Sequence, residues 1–135
     1  METHLMPYEL TWEARGVLFT FSGTASDDDL RQSNIDVYAH PEFTNIDYEI
    51  ADFTAVTRLE FSAEALRWTA NADFDASQRN PTIRVAIVGT EKLLLGLANM
   101  YRALTDVRGN PWEQGQFATV DEARIWLADD NPRNE

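Results

Sequence analysis

The chain has 135 residues, no cysteine, and 11 basic against 23 acidic side chains, a formal charge of −12 at neutral pH. The length suits one domain with its own core, and the lack of cysteine excludes disulfides and thiolate metal sites. The negative field repels phosphate backbones and anionic membrane surfaces, which argues against nucleic acid as a partner.

The amino-terminal METHLMPYEL has neither the basic nor the apolar region of an export signal. The longest apolar runs, around Val85–Val88 and Leu93–Ala98, are too short to span a bilayer. A cytoplasmic protein without a membrane span is expected.

In YELTWEARGVLFTFSG, Tyr8, Leu10 and Trp12 alternate with polar neighbours, and so do Val17, Phe19 and Phe21. That period predicts an antiparallel hairpin turning near Ala14-Arg15-Gly16, with Gly16 supplying any positive φ. Ser26 then caps a helix whose first turn holds Asp27, Asp28 and Asp29, favoured by the helix dipole, and which Pro41 closes. A strand is predicted over TNIDYEIADF. Ser62 caps a second helix running to about Ala76. The near-continuous apolar run RVAIVG reads as a strand buried on both faces. Thr90 is expected to cap the next helix, with Leu93, Leu94, Leu97, Met100, Tyr101 and Leu104 on one face. GQFAT is a short strand, and Thr119 with Glu122 forms a capping-box pattern before a last helix holding Ala123, Ile125, Trp126 and Leu127. The order β-β-α-β-α-β-α-β-α predicts a single α/β domain over residues 1–130, with a mixed sheet of about five strands, about four helices and a polar tail at 131–135.

Catalytic signatures are missing. Only His4 and His40 could serve as an imidazole base, one near the terminus and one before Pro41. No phosphate-binding glycine loop or nucleophile elbow follows a strand. Asp27, Asp28 and Asp29 diverge by about 100° each on a helix and cannot converge on one metal ion. An enzyme would have to rely on carboxylates such as Asp52 and Glu60. No cofactor or metal is expected.

The second helix carries the most information. Ala63, Leu66, Ala70 and Phe74 cluster on a side assigned to the sheet, while Phe61, Ala65, Trp68 and Ala72 cluster nearly opposite. A large indole on the outer side suggests a contact with a protein partner or a second copy. The aromatics Phe19, Phe21, Tyr48, Phe53, Trp68 and Tyr101 offer a different reading, a pocket for an apolar ligand.

The phrases YEIADFTAVT, NPTIRVAIVGT, GLANMYRAL and FATVDEARIWL resemble the STAS domain, named for sulphate transporters and anti-sigma factor antagonists. More closely, nearly the whole chain resembles small bacterial STAS-like or SEC14-like proteins with a SpoIIAA-like fold. In anti-sigma factor antagonists an Asp-Ser-Ser-Gly-Leu pattern precedes the corresponding helix, and its second serine is phosphorylated by a partner kinase. Laid over this sequence, Ser62 falls on the phosphoacceptor and Glu60 on the aspartate, while Phe61 and Ala63 depart from the pattern. The resemblance implies a non-catalytic regulatory module that presents the start of its second helix, with Ser62 as phosphoacceptor and N-cap and Phe61, Ala65, Trp68 and Ala72 as the interface. The SEC14-like side implies a small apolar or lipid-like ligand held by Phe21, Tyr48, Phe53 and Tyr101.

Overall fold

A computed structural model describes residues 7–129; the predicted polar tail lies outside them. Strands β1 (Tyr8–Trp12) and β2 (Gly16–Ser26) form the expected antiparallel hairpin, pairing Tyr8 with Phe21 and Trp12 with Val17. Gly16 does not adopt a positive φ. It is small for another reason: a Cβ there would strike the ring of Tyr48 on the neighbouring strand.

After β2 come helix α1 (Asp27–Ala39), a 3-10 turn (Pro41–Asn45), strand β3 (Tyr48–Glu60), helix α2 (Ala63–Arg79), strand β4 (Arg84–Val88), helix α3 (Lys92–Arg108), strand β5 (Glu113–Phe117) and helix α4 (Val120–Ala128). The five strands lie in the order β1-β2-β3-β4-β5, and every pair after the hairpin is parallel. The predicted mixed sheet and element order are therefore those of the structure.

Parallel strands need crossovers, and these bury both sheet faces. Val17, Phe19, Phe21, Phe53 and Val85 pack with Val37 of α1, Ala76 of α2 and Leu94 of α3. On the opposite face Ile50, Ala86 and Val88 pack with Ala123 of α4, joined by Trp126 and Leu127. Three helices thus cover one face and one helix the other.

The caps follow from the side chains. Ser26 and Asp29 form a reciprocal capping box on α1. Helix α3 starts differently from expectation: its N-cap is Glu91, not Thr90, with no side-chain cap bond, and it ends on Gly109 at φ 77°. Of its predicted apolar face, Leu94 and Tyr101 are buried and Leu97 and Leu104 half-buried. Leu93 and Met100 are exposed, because the buried stripe runs through Leu94, Ala98, Tyr101 and Thr105.

Strand β3 starts four residues later than the predicted stretch and runs seven residues further, to Glu60. β4 pairs with it only over Tyr48–Asp52, whereas β2 runs beside it to Ser26 and Glu60. Two irregularities, between Thr20 and Ser22 and between Gly23 and Thr24, each leave an extra residue on β3. Beyond Asp52, β3 has β2 on one side and no described strand on the other. Among the described residues no helix is long and apolar enough to cross a membrane.

Candidate functional site

The pairing of Ser26 with Glu60 brings the starts of α1 and α2 together at one end of the sheet. Asp27, first residue of α1, therefore faces Ser62, the N-cap of α2. Its Oδ1 accepts from the Ser62 main-chain N–H at 2.7 Å, and its Oδ2 accepts from the Ser62 hydroxyl at 2.6 Å. The same Ser62 Oγ accepts from Ala65 N–H at 3.0 Å, satisfying one free donor of the helix start. Ser62 itself is exposed. Beside it, Glu60 pairs with Arg58 and Glu64 lies 3.7 Å from Arg31.

The predicted outer flank of α2 is placed differently. Ala65 is fully buried, packed with Leu30 and Leu66. Phe61 is half-buried, and its ring meets Phe21 and Phe53 edge-on at centroid distances of 6.3 and 5.9 Å. Ala65 is taken up by the protein's own core and the Phe61 ring leans on it, which leaves less of the predicted outer face. Trp68 and Ala72 are half-buried. Trp68 sits one turn beyond Glu64, on the flank toward α1, where Ile35 is 47 % exposed one turn beyond Arg31. On the other flank Ala63 is exposed rather than packed on the sheet, and Phe74 is covered by the Arg108 guanidinium, 5.0 Å above its ring. The buried arc is wide because α2 packs against both α1 and α3 as well as the sheet.

Under α2 lies a cavity of about 90 Å³ between the sheet and helices α1, α2 and α3. Phe21, Phe53 and Tyr101 line it, as the pocket reading expects, together with Phe19. Tyr48 does not. Its residue parity turns it to the opposite face, where it packs near Ile50 and its hydroxyl donates to Glu13.

Two carboxylates also line the cavity: Glu49, 4 % exposed, and Asp73, 3 % exposed. Glu49 stands between Val17 and Val85 in the sheet register. Asp73 accepts from the hydroxyls of Tyr38 and Tyr101, one on each carboxylate oxygen. Glu49 Oε2 is buried with no hydrogen-bond partner.

Burial pushes the Asp73 carboxyl up to about 6, against the pull of the two tyrosine bonds. Burial, and then the charge of Asp73, hold Glu49 well above the ordinary carboxylate range, against the Tyr38 hydroxyl. The same burial and carboxylates raise both tyrosines.

Glu49 and Asp73 are functional candidates that composition and motif do not single out. The signal for Asp73 was present: it lies three residues after Ala70 and seven after Leu66, on the same stripe. Glu49 shares its phase with Ala51 and Phe53, which also line the cavity. Asp52 and Glu60, the acidic pair weighed for catalysis, sit eight residues apart on one strand, about 26 Å, too far to share one cleft. Asp52 Oδ1 accepts from the N–H and hydroxyl of Thr54.

No family model matches this sequence, and no curated protein matches it. Solved structures do. The anti-sigma factor antagonist SpoIIAA in its unphosphorylated form superposes with a TM-score of 0.58 over 91 % of this chain and 99 % of its own, at 11 % identity. The Bacillus cell fate determinant SpoIIAA in its phosphorylated form gives 0.55 over 89 % and 98 %, also at 11 % identity. An uncharacterised protein of the DUF3478 family from Shewanella loihica PV-4, described as having a SpoIIAA-like fold, gives 0.57 over 95 % and 99 %, at 19 % identity. The chain has the SpoIIAA-like fold.

Proposed function

We propose that the protein is a non-catalytic regulatory module that presents the start of α2 to a protein partner, with Ser62 as the control point. The supporting observation is the corner itself: an exposed hydroxyl at a helix N-terminus, already held by a carboxylate of the neighbouring helix. The fold is shared with an anti-sigma factor antagonist solved in both unphosphorylated and phosphorylated forms.

The corner's chemistry favours a switch. A phosphate on Ser62 would be welcomed by the free N–H groups of α2 but repelled by Asp27, which holds the hydroxyl at 2.6 Å. The modification therefore breaks the clamp between the starts of α1 and α2 and changes the surface a partner meets. Trp68 and Ala72 form the adjoining flank, reduced from the predicted set because Phe61 and Ala65 face inward.

Photo-crosslinking in cells tests this. A photoreactive residue at Arg67, exposed near the α2 start, should give one discrete adduct, and Ser62→Glu should remove it. The same probe at Gln78, exposed near the other end of α2, should give none. Equal adducts from both positions, or none from either, would refute the reading.

A second reading has its own observation. The cavity lined by Phe21, Phe53 and Tyr101 is space that a small ligand can occupy, which supports an apolar-ligand binder of the SEC14-like kind.

A further inference from the structure

The cavity holds a feature that an apolar pocket does not need. Its walls are mostly apolar, and the polar Ser33, Asn34 and Thr69 there bond main-chain carbonyls of their own helices, yet Glu49 and Asp73 both face it from within the core. Asp73 is satisfied by Tyr38 and Tyr101. Glu49 is only partly so: the Tyr38 hydroxyl acts on its carboxyl, but its Oε2 is buried and unpartnered on a strand flanked by Val17 and Val85. A buried carboxyl oxygen without a partner is costly, and more so when charged, so a fold that keeps it is suited to a ligand that completes it. The remaining requirement is a donor, and an adjacent second carboxylate makes a cationic donor better than a neutral one.

We infer that the cavity between the sheet and helices α1–α3 is a binding site for a small primary amine, its ammonium group on Glu49 beside Asp73 and its short hydrocarbon part against Phe21, Phe53 and Leu94. This rests on the second reading above, that the cavity takes a ligand, and adds the chemistry of the ligand. Size limits the candidates. An apolar cavity of about 150 Å³ takes benzene. On the same scale this one, at about 90 Å³, suits about four non-hydrogen atoms, an amine of about three carbons.

The proton balance follows. Burial and the charge of Asp73 favour the protonated form of Glu49 in the empty cavity, so an ammonium ion that enters from water and pairs with the carboxylate sends any proton held there to solvent. Binding then releases up to one proton, and affinity rises by up to about tenfold per pH unit while the empty site is protonated. An alcohol of the same shape neither brings charge nor releases a proton.

The test titrates the folded protein with n-propylamine and with 1-propanol, following backbone amide shifts of residues around the cavity by NMR at pH 6, 7 and 8. The amine should bind about tenfold or more tighter than the alcohol, with affinity rising across the series, and Glu49→Gln should abolish the preference and reduce the pH slope to the part that Asp73 contributes. Equal affinity for amine and alcohol would overturn the amine inference and leave an apolar-ligand site. No binding of either would overturn both. Should Glu49→Gln fail to fold, the wild-type pH series decides: an amine affinity flat from pH 6 to 8 refutes the proposal. Ala98→Leu, which fills the cavity from α3, should remove binding of amine and alcohol together; amine shifts that persist in it place the amine elsewhere and also refute the proposal.

Discussion

The carboxylate of Asp27 takes both the main-chain N–H and the hydroxyl of Ser62, at 2.7 and 2.6 Å, and so joins the starts of two helices that are 35 residues apart in sequence. Ser62 in turn caps α2 through Ala65 N–H. Ser62→Ala should therefore cost about 1 kcal/mol, the ordinary value of an N-cap. Asp27→Ala should cost a comparable amount, and the double variant clearly less than the sum, since both remove one network. Urea unfolding of the four proteins measures the coupling, and strict additivity would show that the clamp contributes nothing.

Stability should depend on pH in the sense opposite to a surface-paired acid. The folded carboxyl of Asp73 is raised to about 6 by burial, and that of Glu49 is raised further above its ordinary range. A raised acid binds its proton more tightly when folded, so its contribution is complete below the unfolded value near 4 and is lost as pH climbs through the folded value. Between about pH 4 and 6 the folded state should lose about 1–3 kcal/mol through Asp73, with Glu49 extending the loss upward. The overall charge of −12 acts in the same direction, so the wild-type curve alone does not separate the two. The comparison with Asp73→Asn, whose slope over this window should be shallower, does. An unchanged slope would exclude Asp73 as the source. The facing groups are Glu49, Tyr38 and Tyr101, and both tyrosines stay neutral throughout.

Asn80 closes α2 and ties down the segment before β3. Its Nδ2 donates to the carbonyls of Phe43 and Ile46, at 2.9 and 2.8 Å, while its own carbonyl accepts from the Trp112 indole at 2.7 Å. Asn80→Leu would leave two buried acceptors without a donor and should cost about 2–4 kcal/mol. A loss under about 0.5 kcal/mol in chemical denaturation would mean that water replaces the amide.

Two glycines should respond differently to alanine. At Gly16 the new methyl meets the Tyr48 ring, which is pinned by its bond to Glu13, and overpacking of this kind costs about 1–3 kcal/mol. At Gly109 there is open space, but φ is 77°, so the cost is conformational, about 1 kcal/mol. Thermal unfolding should rank them in that order, and Tyr48→Leu should relieve the first and leave the second unaffected.

The fold was readable because its signals are local. Alternation in β1 and β2, the apolar run of β4, and the caps Ser26, Ser62 and Thr119 each depend on a few neighbouring residues. The site was less so. The arc of α2 facing inward runs from Ala65 to Ala70, because α1 and α3 both lean on it, and a projection that allows one buried side assigns Ala65 to the wrong flank. Tyr48 was drawn into the pocket by residue type, while its parity sends it to the α4 face. The charge of Glu49 and Asp73 points to solvent, and only the crossing of β3 under α2 shows that both are buried. The Asp27–Ser62 clamp depends on the parallel register of β2 and β3, which no local pattern states.

The overhang of β3 past Asp52 leaves an unfinished rim on the sheet. Unpaired main-chain groups along such a rim invite another chain to anneal there. Arg58 and Glu60, paired with each other on this stretch, and the exposed Thr54 and Thr57 make it a poor template for apolar strands. Those four polar side chains guard the molecule's colloidal behaviour: with valine in their places, concentrated solutions would turn cloudy long before the fold itself gave way.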